Sequence, residues 1–321
     1  MDSITQAALG ASIGEVMLGR SIGRKGAVLG AIVATIPDLD VVLLPFFNEV
    51  QRLSVHRGFS HSIVFSVLGA LLIGYWLARL KWTKSITLSQ LILFSWLALI
   101  THLLLDAFTT YGTQLYLPFS DQRVTFDSIN IVDPIYTLPL LIGLYLSLFT
   151  FKNATNRRKF TQIGLYVSSL FLILTLGIKS HIDHKFKNAL AANYITYQSL
   201  LTVPVKISGI KWYGVATTSD GLFIGHFNNI KRQPIQFEYF PRNEQLLSDY
   251  DPKLVKQLKW FAKDYYAVAE EDGHLRFYNL QCDMQGIKNY GNYRAPTAFY
   301  FEIVKDANGK DRLLTGMHWD K

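Results

Sequence analysis

Apolar residues dominate the first 180 residues of the chain, where they occur in long runs. Four runs approach the roughly 20 helical residues that cross a bilayer core of about 30 Å. They cover residues 62–80, 86–106, 133–151 and 160–179. Two further runs are less regular, because residues 3–19 are short and include Glu15, and residues 26–46 contain the interruption "IPDLDVV". The pattern predicts a polytopic helical membrane domain with four to six spans over residues 1–180.

After residue 180 the pattern changes to that of an ordinary mixed sequence. "HIDHKFKNALAANY" and "DPKLVKQLKWFAKDYYAVA" have the apolar spacing of amphipathic helices. "KWYGVATTSDGLFIGHF" alternates around a Ser-Asp-Gly turn and predicts a β-hairpin, while "HLRFYNLQC" and "TAFYFEIVK" predict further strands. Residues 181–321 are therefore expected to form a small α+β domain with an antiparallel sheet. The fold class of the whole chain is predicted to be mostly α.

Composition agrees with a membrane protein. Half of the 321 residues are hydrophobic and 17% are charged, with a net charge of +8. The basic residues form short clusters between the apolar runs, which is typical of membrane topology, so we expect the bilayer as a partner and no nucleic acid. The single cysteine, Cys282, excludes an intrachain disulfide and a cysteine-rich metal site.

The connections between the runs alternate in charge if all six runs cross the bilayer. One set of connections holds ten basic residues: Arg20, Arg24, Lys25, Arg79, Lys81, Lys84, Lys152, Arg157, Arg158 and Lys159. The opposite set mixes basic with acidic residues: Arg52, Arg57, Arg123, Glu49, Asp121 and Asp127. The positive-inside rule assigns the first set to the cytoplasm. Both termini, and with them residues 181–321, are then predicted to face outward.

This topology places the ionisable residues of the apolar region at one membrane level. The topology depends on lysine and arginine alone, so it is independent of the positions of histidine and aspartate. Random placement would put histidine and aspartate on both faces of the membrane. The residues concerned are Asp2, Asp38, Asp40, His56, His61, His102, Asp106 and Asp133. We therefore expect them to form one site.

His102 and Asp106 stand four positions apart in "THLLLDAFTTYG". On a helix, that spacing leaves the two side chains about 40° apart on one face. An imidazole nitrogen and a carboxylate oxygen stacked in this way can hold one divalent cation. A hydrogen-bonded pair on a helix surface is the common alternative.

Asp38 and Asp40 follow Pro37, whose missing N–H disrupts a helix interior. A loosened helix would allow both carboxylates to reach a common cavity or a pair of metals. The alternative is a polar loop between two half-helices, with Asp38 acting as a cap.

His56 and His61 are separated by five residues, which is about 140° on a continuous helix. Gly58 favours a loop around His56, with Ser60 as helix N-cap and His61 in the first turn, so that the two imidazoles converge. Arg57 is suited to an anionic substrate group or to a lipid headgroup.

Asp133 precedes Pro134 at the start of the fifth apolar run. It is a candidate ligand, but carboxylates are also favoured at helix N-termini, so a capping role is the alternative. Asp2, Thr5 and Gln6 of the first run are expected at the same membrane level, either as ligands or in contact with the ligands.

Together these residues supply three histidines and at least four carboxylates. Nitrogen and oxygen ligands without sulfur suit zinc, manganese or iron, and the number of carboxylates indicates one to three ions. The predicted metal ligands are Asp38, Asp40, His56, His61, His102, Asp106 and Asp133. The predicted catalytic residues are Asp38, Asp40 and Arg57, in a hydrolysis in which metals activate water and a spare carboxylate takes the proton.

Four segments of residues 1–150 resemble, in the same order, the bacterial membrane-bound metal-dependent hydrolases described as LexA-binding and inner-membrane-associated. The segments are "MDSITQAALGASIGEVMLGR", "ATIPDLDVV", "HRGFSHS" and "THLLLDAFTTYGT". That family is distantly similar to zinc-dependent phospholipase C and to fungal single-strand nucleases, which share a His-x-x-x-Asp helix and a multi-zinc site for phosphoester cleavage. The resemblance is looser beyond these residues.

The resemblance implies that His102 and Asp106 bind metal, with His56, His61 and an aspartate of "PDLD" completing the site. Many relatives have histidine where this chain has Gln6, which implies that one ligand is weaker or missing here. It also implies a multi-pass protein of the bacterial inner membrane that contains zinc.

The leading hypothesis is a membrane metallohydrolase that cleaves a phosphoester or related bond of a lipid or lipid-linked substrate. One alternative is a metal- or proton-coupled transporter, because ionisable residues inside membranes often mark ion pathways. An ion pathway would have polar residues that continue toward the cytoplasmic side. The inner halves of the predicted spans are apolar except for Glu15, so transport ranks below hydrolysis. A further alternative is a non-catalytic metal-binding membrane protein.

Overall fold

The structure is a computed structural model. It describes residues 1–151, 153–205, 207–231, 233–281, 288–290, 293–306 and 308–318. Cys282 lies outside the described residues, so the exclusion of an intrachain disulfide and of a cysteine-rich metal site depends on the sequence alone.

The chain divides into two compact units. The first contains Met1–Leu43 and Val55–Leu176, and the second contains Leu44–Ser54 and Gly177–Lys321. The predicted boundary at residue 180 and the division at Leu176 both fall inside one long helix. The segment Leu44–Ser54 groups with the second unit, although its sequence lies within the apolar region.

Helices form most of the N-terminal region, with a long loop between Ala107 and Pro134, and about 53% of the described structure is helical. The α-helices are α1 Ser3–Ile22, α2 Lys25–Thr35, α3 Glu49–Val55, α4 Ile63–Ala78, α5 Leu88–Ala107, α6 Pro134–Tyr145 and α7 Ala154–Ala192. Short 3-10 helices cover Pro37–Phe46, Phe59–His61 and Lys81–Thr83, and a π-helical turn, Leu146–Thr150, continues α6.

Polar residues at the helix starts explain where these helices begin. Ser62 caps α4, since its hydroxyl accepts from the Phe65 N–H at 3.0 Å. Thr87 and Gln90 form a capping box at the start of α5. The prediction that Ser60 would be the N-cap was wrong by two residues, because His61 ends a separate 3-10 turn before α4 begins.

The closest helix pair of the first unit is α1 with α2. Gly10 and Gly14 of α1 face Gly26 and Gly30 of α2, and a Cβ added to Gly30 would lie 1.9 Å from the carbonyl oxygen of Gly10. Small residues at a helix interface allow this close backbone approach in membranes. Helix α5 packs against α1, α2 and α4, and contributes several fully buried side chains to the core: Leu91, Phe94, Ala98 and Leu99.

Two helices, Leu88–Ala107 and Ala154–Ala192, are each long and apolar enough to cross a membrane. Two bent pairs pass the same test as pairs: α2 with Pro37–Phe46, bent by 42°, and Glu49–His61 with α4, bent by 53°. The described residues therefore give two to four candidate spans. The predicted four to six spans are not confirmed, since α1 is outside this set and Pro134–Thr150 is a shorter apolar helix.

The second unit is built on two four-stranded antiparallel sheets. The first has the order β1-β2-β3-β4, with strands Ser199–Val205, Lys211–Thr217, Gly221–Asn228 and Phe237–Pro241. The second has the order β10-β9-β6-β5, with strands Asp311–Met317, Phe299–Lys305, His274–Asn279 and Tyr266–Glu271. A small pair joins β7 Lys288–Tyr290 to β8 Tyr293–Ala295, and helix α8 covers Pro252–Ala262. The hairpin, the helix after Asp251 and the two later strands are confirmed.

The C-terminal part of α7 belongs to the core of the second unit. Ile182 and Phe186 are fully buried and pack with Trp212 of the first sheet. Gly214 lies under the Phe186 ring, where an added Cβ would be 2.5 Å from ring carbons. The amphipathic helix predicted from residue 181 is therefore the continuation of the predicted span 160–179, in one helix of 39 residues.

Candidate metal centre

Three elements of the first unit bring four ligand side chains together. Asp38 lies in the 3-10 helix after Pro37, and His61 ends the 3-10 turn before α4. His102 and Asp106 lie on one face of α5, as their spacing predicted. One ligand atom from each of the four residues lies within 4.8 Å of all the others.

The four ligand atoms are the Nε2 atoms of both histidines, Asp38 Oδ1 and Asp106 Oδ2. His61 Nε2 is 3.2 Å from His102 Nε2, 3.4 Å from Asp38 Oδ1 and 3.4 Å from Asp106 Oδ2. His102 Nε2 is 3.5 Å from Asp38 Oδ1 and 3.9 Å from Asp106 Oδ2. Ligands about 2.0–2.1 Å from a tetrahedral zinc ion are about 3.3–3.4 Å apart, so these distances fit one such ion.

Buried polar atoms that lack a hydrogen bond also point to a ligand at this place, although one of them, Asp106 Oδ2, lies 3.1 Å from Arg57 Nε. His61, His102 and Asp106 are at most 1% exposed. Among the described residues, no hydrogen-bond partner is present for His102 Nδ1, Asp106 Oδ2 or Gln6 Oε1. Buried polar atoms are normally satisfied, and a cation between the ligand atoms would satisfy Asp106 Oδ2 and separate the two facing imidazole nitrogens.

Asp40 lies behind His61 and is not one of the four ligands. Its Oδ2 accepts from the Arg57 N–H and the Ser60 hydroxyl, both at 2.9 Å, and lies 3.5 Å from His61 Nδ1. Ser60 Oγ is 3.0 Å from the same imidazole nitrogen. A carboxylate on the far nitrogen of a ligating histidine fixes its tautomer and orientation, so the structure gives Asp40 a positioning place instead of the predicted ligand place.

His56 is also outside the group of four ligands. Its Nδ1 is 3.0 Å from Asp40 Oδ1, and its ring centre is 6.4 Å from that of His61. Its side chain is 28% exposed, whereas that of His61 is fully buried. As predicted, His56 lies in a loop that brings its imidazole near that of His61. The Asp40 carboxylate contacts both rings.

Arg57 lies against the ligand Asp106. Its Nε is 3.1 Å from Asp106 Oδ2, and its Nη1 donates to Thr109 Oγ1 at 3.3 Å. Its backbone φ is +56°, a left-handed conformation that non-glycine residues rarely adopt. Such outliers concentrate at functional sites, where surrounding contacts hold them.

Asp133 takes the capping alternative. It is the N-cap of α6, and its Oδ1 accepts from the Ile135 N–H at 2.9 Å, with Pro134 in the first turn. It is not among the four clustered ligands. Asp2 likewise caps α1 by accepting from the Thr5 N–H.

Gln6 reaches the centre from α1. Its Nε2 donates to Asp106 Oδ1 at 3.0 Å and to the His102 carbonyl at 3.3 Å. The amino group of Met1 contacts the same carboxylate oxygen. Gln6 therefore holds one oxygen of Asp106 and leaves the other oxygen directed at the histidines.

Residues 1–182 of the chain match the family model described as YdjM inner membrane protein. The chain belongs to this family. The YdjM match contains every residue of the metal centre and ends within α7, so the two sheets of the second unit lie outside it.

Relatives of this YdjM family protein include two bacterial proteins. "Uncharacterized protein YfhP" of Bacillus subtilis (strain 168) is 26% identical over 233 residues, which are 70% of this chain and 68% of YfhP. "Inner membrane protein YbcI" of Escherichia coli (strain K12) is 34% identical over 122 residues, which are 37% of this chain and 69% of YbcI. No solved structure matches the chain significantly. The YdjM family name, YbcI and the apolar helices agree on an inner membrane protein.

Tyr111 and Thr109 are site residues that the spacing arguments missed. Thr109 donates to the Asp106 carbonyl at 2.6 Å, and the Tyr111 ring lies 4.8 Å below the Arg57 guanidinium carbon. Both belong to "DAFTTYG", directly after the ligand Asp106. Their position in this motif is the signal that the sequence contains, because their side chains do not form a metal-ligand pattern.

Proposed function

We propose that this chain is a membrane-embedded metal-dependent hydrolase that cleaves a phosphoester or related bond of a lipid or envelope substrate. The observation that carries the proposal is the group Asp38, His61, His102 and Asp106, whose ligand atoms have the spacing of a single-ion site. Intramembrane ionisable residues are expensive to place, so a cluster of four near apolar helices favours a function. The resemblance to the phospholipase C-like hydrolases supports the reaction class.

Zinc is the ion that we assign to the centre. Two imidazole nitrogens and two carboxylate oxygens in tetrahedral spacing fit zinc better than calcium or magnesium, which prefer six or more oxygen ligands. We assign one ion, since His56 and Asp133 have contacts outside the group and Asp40 lies at the far nitrogen of His61, away from the ligand atoms.

His56 is the proposed proton acceptor of the reaction. Asp40 Oδ1 lies at its Nδ1, which leaves Nε2 as the atom that can take a proton from an attacking water. A bound divalent ion would supply Lewis-acid activation of that water and of a phosphoryl oxygen. Arg57 is placed to hold the anionic group, because its guanidinium adjoins the ligand Asp106.

The substrate is expected to enter beside Asp38. Its side chain is 23% exposed, whereas the other three ligands are buried. Expansion to five ligands, as in many zinc enzymes, would admit a water at this open side. We further propose that residues 181–321 lie outside the cytoplasm, which the positive-inside distribution of basic residues supports.

A structural metal centre is the second candidate. Four protein ligands can complete a tetrahedral zinc site, and closed coordination is typical of structural zinc. In that case zinc would stabilise the helical unit and no substrate would be turned over.

The deciding experiment combines elemental analysis with a substrate screen on the purified full-length protein. We expect about one zinc per chain and hydrolysis of a phosphoester or phospholipid substrate, both lost in H102A/D106A. R79Q, which changes an exposed arginine outside the centre, is the matched control and should keep both. Wild-type protein without stoichiometric transition metal would overturn the proposal. Zinc that is bound and stabilising, without hydrolysis of any phosphoester, lipid or acyl substrate, would establish the structural alternative.

A further inference from the structure

The Tyr111 ring is the meeting point of two arginines beside the metal centre. The guanidinium carbon of Arg57 lies 4.8 Å from the ring centre, and that of Arg123 lies 4.6 Å from it. Arg123 also donates to the Tyr111 carbonyl. Both arginines are more than nine-tenths buried. Arginines far apart in sequence are thus collected on one small patch.

The loop after α5 is built to hold this patch in place. Thr113 and Val124 pair as an isolated antiparallel bridge, with N–H to carbonyl distances of 3.1 and 2.8 Å. Gly112 has φ +77°, and an added Cβ would lie 2.3 Å from the Thr125 side chain. The bridge therefore fixes Tyr111 and Arg123 on neighbouring stretches of backbone. Gln114 in the same loop donates its backbone N–H to the Arg57 carbonyl at 3.4 Å.

The chemistry of the patch fits a phosphoryl group. A guanidinium stacked on an aromatic face keeps its N–H groups around its edge, where they can bind phosphate oxygens in pairs. Arg57 and Arg123 place two positive charges on the Tyr111 ring beside the centre, and positive charge concentrated in this way attracts an anion.

We propose that Arg57, Tyr111 and Arg123 form a phosphate-binding subsite next to the metal centre, with Arg123 as its specificity-determining residue. The inference rests on the proposed function, since it takes the metal centre as the place where the bound phosphoryl group reacts. It names a substrate class for the site, namely molecules with an accessible anionic phosphate. The shared chemistry comes either from a lipid headgroup or from a soluble phosphate compound.

The test measures phosphate binding separately from turnover. Zinc-loaded full-length protein in neutral phosphatidylcholine nanodiscs is titrated with inorganic phosphate by calorimetry, and parallel discs contain phosphatidic acid as the lipid probe. We expect saturable binding of at least one probe, weakened about 10-fold or more in R123Q, because charge-assisted hydrogen bonds are lost. R79Q is the matched control, since Arg79 stacks on Tyr75 at 4.3 Å on the protein surface, outside the centre.

The outcomes separate the possibilities. Inorganic phosphate binding identifies a soluble source, binding of phosphatidic acid alone identifies a lipid source, and binding of neither probe overturns the subsite. Wild-type affinity in R123Q, or an equal loss in R79Q, also overturns it.

If R123Q loses zinc, the same titration is made with R123K. We expect several-fold weaker phosphate binding with zinc retained, because lysine lacks the planar fork, and unchanged affinity overturns the subsite. Phosphate binding without hydrolysis counts against the proposed function alone, whereas hydrolysis with an unchanged KM in R123Q counts against the subsite alone.

Discussion

At the scale of single residues, the centre distinguishes aspartates that the sequence treats alike. Asp38 and Asp40 are two positions apart in "PDLD", yet Asp38 faces both histidine Nε2 atoms while Asp40 faces His61 Nδ1 and His56. The 3-10 helix directs one carboxylate to the proposed ion and the other to the back of the histidine that binds it. Their substitutions should therefore have different consequences.

D38N and D40N test this distinction. D38N removes the charge of a ligand and should reduce zinc to well below one ion per chain. D40N should keep zinc but weaken its affinity about 10- to 100-fold, since it disturbs only the partner of His61. Zinc affinity is measured by competition with a chromophoric chelator. Equal losses in the two variants would contradict the assigned places.

A partly buried histidine in the second unit, His318, gives a pH prediction. Burial lowers the pKa of His318 below its ordinary value, against the opposing charge of Glu271, and its Nε2 lies 2.8 Å from the Tyr278 hydroxyl. The Tyr278 hydroxyl donates to Glu271, and burial raises the pKa of that phenol. A folded-state pKa below the unfolded value means that the folded protein binds fewer protons, so stability is present above about pH 6.5 and is lost as pH falls.

The measurement compares thermal unfolding midpoints of the full-length protein at pH 7.5 and pH 5.5. We expect the wild-type midpoint to decrease on acidification and the decrease to be smaller in H318Q. An equal decrease in both proteins would show that other groups carry the pH dependence.

At the scale of elements, α1 and α2 depend on backbone contact instead of side-chain interlocking. Gly10, Gly14, Gly26 and Gly30 remove the side chains that would separate the two helices. Because α1 carries Gln6 and α2 leads into the helix of Asp38, the spacing of this pair affects the metal centre. Glu15 of α1 is further tied to Arg157 of α7 at 2.6 Å, which satisfies an otherwise costly buried charge.

G30A should destabilise the first unit by about 1–3 kcal/mol, since the added methyl meets backbone that has no room to move. G177A is the matched control, because nothing lies within 4 Å of a Cβ added at Gly177 and alanine favours the helix by about 0.5–1 kcal/mol. Both are measured by denaturant unfolding in detergent. A loss in G177A as large as that in G30A would contradict the proposed role of backbone contact.

At the scale of the whole molecule, the chain combines a helical unit that contains the centre with a sheet-rich unit that lies outside the YdjM match. The helical unit supplies the four ligands, and all four lie within the matched residues. The second unit has its own buried core around Tyr213, Val215 and Ala267. Its location is therefore a separate question from the chemistry of the centre.

The location of the second unit is tested by fusing reporters after the C-terminus. Alkaline phosphatase, which folds only outside the cytoplasm, should be active, and a fluorescent protein that folds only in the cytoplasm should be dark. The opposite pattern would reverse the proposed topology, since the basic clusters would then face outward. Either result leaves the metal and phosphate measurements unaffected.

Sequence by itself determined the elements and the chemical types present. Apolar runs predicted helices, alternation predicted the β2–β3 hairpin, and the spacing of His102 and Asp106 placed both on one face of α5, because periodicity is a local property of the chain. The resemblance placed the chain among inner membrane proteins, which the family match confirms at that coarser level.

Only the tertiary structure decided which candidates meet. Ligand distances depend on how three elements approach one another. The sequence therefore could not show that Asp38 is a ligand and Asp40 is not, or that His56 contacts Asp40. It also could not decide that Asp133 caps α6. It also could not bring Arg123 to Tyr111 and Arg57, since that contact results from a loop folding back across one backbone bridge. Periodicity sets the face on which a side chain lies, whereas its partners are set by packing between segments that are distant in the chain.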